Sequence, residues 1–151
     1  MKTNELMIGD IVRVAKDVCI PKGTVVSIKG VDADNRFTEK HLVGSATCLP
    51  INDEDRMTCG IWVEYLEPIP LTTYILEKNG FEKQLGNFVY ENDDESLRIE
   101  FYPKNINYTN GCYDYIDIER GCVTITEMPI EFVHELQHAM RLCGIDKEFE
   151  L

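Results

Sequence analysis

Gly9-Asp10-Ile11-Val12-Arg13-Val14-Ala15, followed after Pro21-Lys22-Gly23 by Thr24-Val25-Val26-Ser27-Ile28-Lys29-Gly30-Val31-Asp32, is the stretch whose reading decides the fold. Side chains alternate across an extended chain, so Val12 and Val14 share one face, and Val26 and Ile28 share one on the next segment. β-branched residues dominate both segments, and the proline and glycine between them mark a turn, so the pair reads as two strands. Working outward, Asp32-Ala33-Asp34-Asn35 is a second turn, residues 37–43 a third strand and residues 61–64 a fourth. The stretch 44–60 between them reads as a polar loop, expected to be the most mobile internal segment.

Glu67-Pro68-Ile69-Pro70 follows as a stiff connector, because each proline fixes its own φ and restrains the residue before it. It divides the chain into residues 1–70, all β, and residues 71–151, mixed. In the second part Thr72 is placed to cap a short helix over 73–79, which Gly80 ends. Strands are expected at 83–91, 97–102, 113–119 and 122–126. Asn92-Asp93-Asp94 and Asn110-Gly111 are turn signals, and Arg120-Gly121 suits a tight hairpin. A helix over 129–143 stops at Gly144. The opening pattern G-D-I-V-R-V … G-T-V-V-S-I-K-G-V-D resembles the first hairpin of SH3-like barrels. The expected fold class is therefore α+β. An N-terminal SH3-like β-barrel or bent sheet is followed by a small antiparallel sheet packed with a C-terminal helix.

Composition narrows the function classes. With 151 residues and 44% hydrophobic side chains, the chain can bury a core. Its net charge is −12, and the charge is uneven. Residues 1–70 hold 8 Lys/Arg against 11 Asp/Glu, and residues 71–151 hold 7 against 16. A surface this negative repels phosphate backbones, so nucleic acid is not expected as a partner. The first ten residues carry two acids and no long apolar run, and nothing in the sequence is apolar enough for a bilayer span. A cytoplasmic protein with no membrane partner is expected. Its six cysteines, which form no C-x-x-C, are then all expected to be reduced.

Ile8-Gly9-Asp10, the run Leu66-Glu67-Pro68-Ile69-Pro70-Leu71-Thr72, Leu76-Glu77-Lys78-Asn79-Gly80-Phe81-Glu82-Lys83 and Phe132-Val133-His134-Glu135-Leu136-Gln137 together resemble small proteins of Bacteroides-type gut bacteria, often borne on prophages or mobile elements. The resemblance implies a bacterial or phage setting. It carries over no catalytic residue.

His134-Glu135-Leu136-Gln137-His138 fits H-E-x-x-H. On a helix, residues four apart stack one turn above each other, so His134 and His138 are candidate zinc ligands and Glu135 a candidate general base. On the same wheel Phe132, Val133, Leu136, Ala139, Met140 and Cys143 cluster on one face, with His134, His138 and Arg141 nearly opposite. They face either solvent or a cleft covered by something else; a polar outer face accounts for the histidines without a metal, and removing both is then expected to leave stability nearly unchanged. Catalytic zinc also needs a third protein ligand. The acids downstream, Asp146, Glu148 and Glu150, lie past Gly144 in a tail expected to fray, and Arg141 would set a cation beside the metal. Asp117 and Glu119 alternate with Tyr113 and Tyr115 along one strand face, as an exposed face would, and are the other candidate ligands. Trp62 is expected to be partly exposed, a candidate protein contact. No phosphate-binding glycine loop or G-x-S-x-G occurs. The sequence thus favours a non-enzymatic interaction or accessory module that binds another protein and needs no cofactor. A zinc-dependent hydrolase built on His134, Glu135 and His138 is the alternative.

Overall fold

The computed structural model describes residues 1–32, 37–38, 41–42, 44–51, 57–92, 96–103 and 114–151. They form an α+β protein with two five-stranded antiparallel sheets and a C-terminal helix. The chain divides into two compact units. The first comprises Met1–Ile69 with Leu136–Asp146, and the second Pro70–Glu135 with Lys147–Leu151.

In the first unit the expected opening hairpin is present as β1 (Ile11–Val14) and β2 (Val25–Asp32), paired antiparallel with Val12 opposite Val26. A two-residue pair follows, β3 (Phe37–Thr38) with β4 (His41–Leu42), and then β5 (Ser45–Pro50) and β6 (Cys59–Trp62). A 3₁₀ turn at Val63–Tyr65 leads into β7 (Leu66–Glu67), which returns to pair with β1. The strand order is β6-β5-β2-β1-β7, so β6 and β7 are the two edges of an open sheet. Its core includes Val12, Val14, Val26, Ile28, Ala46, Cys48, Ile61 and Leu66, all buried.

The loop expected over 44–60 is not one throughout, because it contains β5, a strand bonded on both sides. Its inward residues are Ala46, Cys48 and Pro50. Two are small and one is a proline, so alternation is present but its hydrophobic signal is weak. Residues 52–56 of that loop, and the turn expected at 33–35, lie outside the described residues.

The second unit begins with α1 (Thr73–Lys78), capped as expected by the Thr72 hydroxyl accepting from the Ile75 N–H at 3.3 Å. The single strand expected over 83–91 is a hairpin, β8 (Glu82–Gln84) and β9 (Asn87–Asn92). Leu85 and Gly86 turn between them with φ of 51° and 104°, the left-handed pair that a two-residue hairpin loop needs. Leucine rarely occupies such a position, which is why the turn is illegible in the sequence. Then come β10 (Leu97–Tyr102), β11 (Tyr115–Arg120) and β12 (Val123–Pro129), giving a meander in the order β12-β11-β10-β9-β8. The turn expected at Asn110-Gly111 is outside the described residues. Inward residues Leu97, Ile99, Phe101, Ile116 and Ile118 are buried. The last helix, α2 (Val133–Leu142), runs from the second unit into the first.

The tail beyond Gly144 does not fray. Ile145 and Phe149 are buried, and Asn79, at the end of α1, holds the backbone near the terminus. Its Nδ2 donates to the carbonyls of Ile75 (2.8 Å) and Glu150 (2.7 Å), and its Oδ1 accepts from the Glu150 N–H (3.0 Å). With no exposed surface, Asn79 has to find these partners within the protein.

The cysteines also depart from expectation. Cys19 and Cys59 form a disulfide, while Cys48 and Cys122 are free thiols and Cys112 lies outside the described residues. Cys48 is the cross-strand partner of Cys59, and burial pushes its thiol up to about 11, so the disulfide has no ready thiolate beside it. Closing a chain separation of 40 residues contributes about 2–4 kcal/mol in the chain-entropy account. Thiol titration in denaturant under nitrogen is therefore expected to find at least two of the six thiols missing until reductant is added. Reduction is expected to lower the urea midpoint, and six free thiols before reduction would remove the crosslink from the fold.

Candidate functional site

Helix α2 carries the H-E-x-x-H motif, and its residues have separate roles. Glu135 is the third residue of the helix, and its carboxylate reaches back to accept the N–H groups of Glu131 (2.8 Å) and Phe132 (3.0 Å). Those donors lie at a helix start, where no carbonyl is in reach, so Glu135 serves as half of a capping box. His134 is only 5% exposed, with its ring stacked at 6.0 Å from that of Phe132. The sequence leaves the face that carries His134 toward either solvent or a cleft covered by something else, and the burial of His134 excludes solvent. Val133, His134, Leu136, Gln137, Ala139, Met140 and Cys143 are all buried, so the helix is covered on more than the one face its apolar stripe marks.

His138 and Arg141 meet a residue to which the sequence reading gives no role. Asp10, in the loop before β1, has no exposed surface. Its carboxylate accepts from the Met7 N–H (2.7 Å) and from Arg141 Nη1 (2.8 Å), and His138 Nε2 lies 2.9 and 2.8 Å from its two oxygens. A carboxylate only accepts, so Nε2 carries the hydrogen in this contact. Next in the helix, Gln137 grips the same loop, its Oε1 accepting from the Ile11 N–H (2.9 Å) and its Nε2 donating to the Gly9 carbonyl (3.2 Å). Gly9 has φ of +91°, and a β-carbon there would come within 2.9 Å of Arg141 Nη2. The positive φ favours glycine here, while the close contact is with the movable end of the Arg141 side chain.

The candidate hydrolase residues are therefore engaged within the protein, Glu135 by backbone N–H groups and His138 by Asp10. Among the described residues no group of three His, Cys, Asp or Glu side chains is arranged to hold a metal ion. Of the downstream acids, Glu148 is exposed and Glu150 lies 4.0 Å from Lys78 Nζ.

Asp117 and Glu119 lie on an acidic face of the second sheet. Glu100, Asp117 and Glu127 stand directly opposite one another on β10, β11 and β12. Burial raises the Asp117 carboxyl above the usual carboxylate range, and the charges of Glu119, Glu127 and Glu100 raise it further. Tyr102 and Tyr115 stack flat beside this row at 4.5 Å, and burial raises both phenols. Arg98 bridges Glu91 and Glu100. Tyr108 and Tyr113 lie outside the described residues.

An apolar groove of about 810 Å³ opens beside the disulfide in the first unit. Ile20, Pro21, Val25, Pro50 and Met57 line it with Cys19, Cys59, Thr24 and Thr58, and among the described residues no charged side chain does. Met57 is 78% exposed, and Trp62 of β6 is 41% exposed, as expected. Comparison with protein-family models, curated proteins and solved structures returned no match for this chain.

Two predictions test this geometry. Arg141→Met strips a buried carboxylate of its cation and is expected to lower stability by about 3 kcal/mol. Adding Asp10→Asn should restore part of that loss, and urea denaturation of the double-mutant cycle measures the coupling. The sequence-based expectation is that removing His134 and His138 together leaves stability nearly unchanged, whereas His138 here contacts the buried Asp10 carboxylate. The second concerns pH. The folded Asp117 holds its proton at pH values where the unfolded chain has lost it. Its contribution to stability therefore falls as pH rises from the ordinary carboxylate pKa of about 3.9 through the raised one. Asp117→Asn should gain on the parent in urea midpoint as pH rises above about 4, and an unchanged gap would contradict the assignment.

Proposed function

We propose that this protein is a non-enzymatic interaction module whose first unit is an SH3-like fold presenting an apolar groove to a partner protein. The groove, whose described lining holds no charged side chain on a chain of net charge −12, is the observation that carries this reading. A large apolar concavity left open on a soluble surface is characteristic of a binding site, and uncharged walls select an uncharged, apolar segment. The SH3-like assignment is supported by the strand order, in which β7 follows a 3₁₀ turn and returns beside β1. A role as an accessory factor of a bacterial mobile element fits the sequence resemblance. Among the described residues no helix is long and apolar enough to cross a membrane. The Cys19–Cys59 disulfide weighs toward an oxidising setting and against the cytoplasmic one.

Selection from a displayed library of short peptides tests the proposal. Enriched ligands should be apolar, and their binding should be lost in Met57→Glu and retained in Leu85→Glu, a fully exposed position in the second unit. Equal binding by both variants would place the ligand elsewhere. Peptide hydrolysis that Glu135→Gln abolishes would replace the module with the hydrolase.

A further inference from the structure

The second sheet ends in a strand with an open side. β12 is the outer strand of the meander, bonded to β11 alone among the described strands, and every residue from Val123 to Glu127 is exposed. Val123 is 66% and Ile125 52% exposed. An unpaired row of backbone N–H and C=O groups along such a strand is a template for another strand. Natural edges are usually protected by lysine, by an inward charge or by a proline within the strand. β12 carries Pro129 at its last position and the bulge between Ile118 and Glu119 beside it, but the run Val123-Thr124-Ile125-Thr126 has no lysine, proline or charge.

The charge of the sheet identifies the occupant. The Glu100–Asp117–Glu127 row runs across three strands and ends at the open edge, so an added strand would place one side chain beside Glu127 in the same row. A second copy of β12 brings no cation to this row, and its own unit is strongly acidic. We propose that β12 is a docking edge for an extended segment of a partner protein in which basic residues alternate with apolar ones. The basic residues continue the acidic row, and the apolar ones cover Thr126 and Met128 on the other face, while backbone bonds extend the ladder. The raised carboxyl of Asp117 accords with an acid row that lacks enough cations of its own. This inference stands apart from the groove, which belongs to the other unit.

The test uses the whole protein and a labelled peptide of alternating lysine and valine, followed by fluorescence anisotropy. Binding is expected, weakening about tenfold or more between about 50 mM and about 500 mM salt. Glu127→Lys, an exposed change at the edge, should weaken it by about tenfold, while Met57→Glu should leave it unchanged. Two peptides N-methylated on opposite edges separate strand addition from charge attraction. One should bind like the parent peptide and the other not at all. Equal binding of both would show attraction without strand pairing and overturn the proposal. So would no binding, or a concentration-dependent dimer in sedimentation that the peptide does not dissociate, which would give the edge to a second copy.

Discussion

A carboxylate without exposed surface needs its donors and its counter-charge inside the protein, and Asp10 imposes that constraint on the first unit. Its partners come from two places. The Met7 amide tightens the loop, while His138 and Arg141 come from a helix more than 120 residues later. Gln137 adds bonds to the amide of Ile11 and the carbonyl of Gly9, so three side chains on one stretch of helix hold three consecutive residues. The loop in turn starts β1, which pairs with both β2 and β7. The position of the loop and that of the helix are thus a single arrangement, and the loop turns at Gly9 with a φ of +91°.

The second unit solves a similar problem with a neutral side chain. Asn79 ends α1 and is fully buried, and its amide satisfies main-chain groups of both its own helix and Glu150. Lys147 adds a bond from its ammonium to the Asn79 carbonyl at 2.7 Å. Helix termini leave backbone groups without intrahelical partners, and here the tail supplies them.

The sequence made the regular elements legible and left their polar fastenings hidden. β1, β2, β10 and β11 follow from alternation of β-branched and aromatic residues, and α1 from a threonine cap and a closing glycine. β5 escaped notice because alanine, cysteine and proline fill its inward positions, and the Leu85-Gly86 turn because leucine is a poor signal for left-handed backbone. Asp10 is one of 27 acids in the chain, and nothing local distinguishes it from the exposed ones. Its burial depends on a helix far away in sequence, so only the three-dimensional arrangement reveals it. The H-E-x-x-H spacing is present as read, but a helical wheel treats the helix as covered from one side. In the folded chain His134 is buried, His138 faces Asp10 and Glu135 caps its own helix.

The assignment of Leu136–Asp146 to the first unit and Lys147–Leu151 to the second interleaves the two along the chain. During synthesis the first sheet leaves the ribosome long before the residues that complete its Asp10 contacts have been made. Until then the Asp10 carboxylate must stay hydrated, which favours a partly open loop at the start of β1. Contacts this distant in sequence are entropically expensive to form and slow to nucleate. Residues 1–69 taken alone would lack Gln137, His138 and Arg141, the side chains that hold the loop before β1 in the full chain.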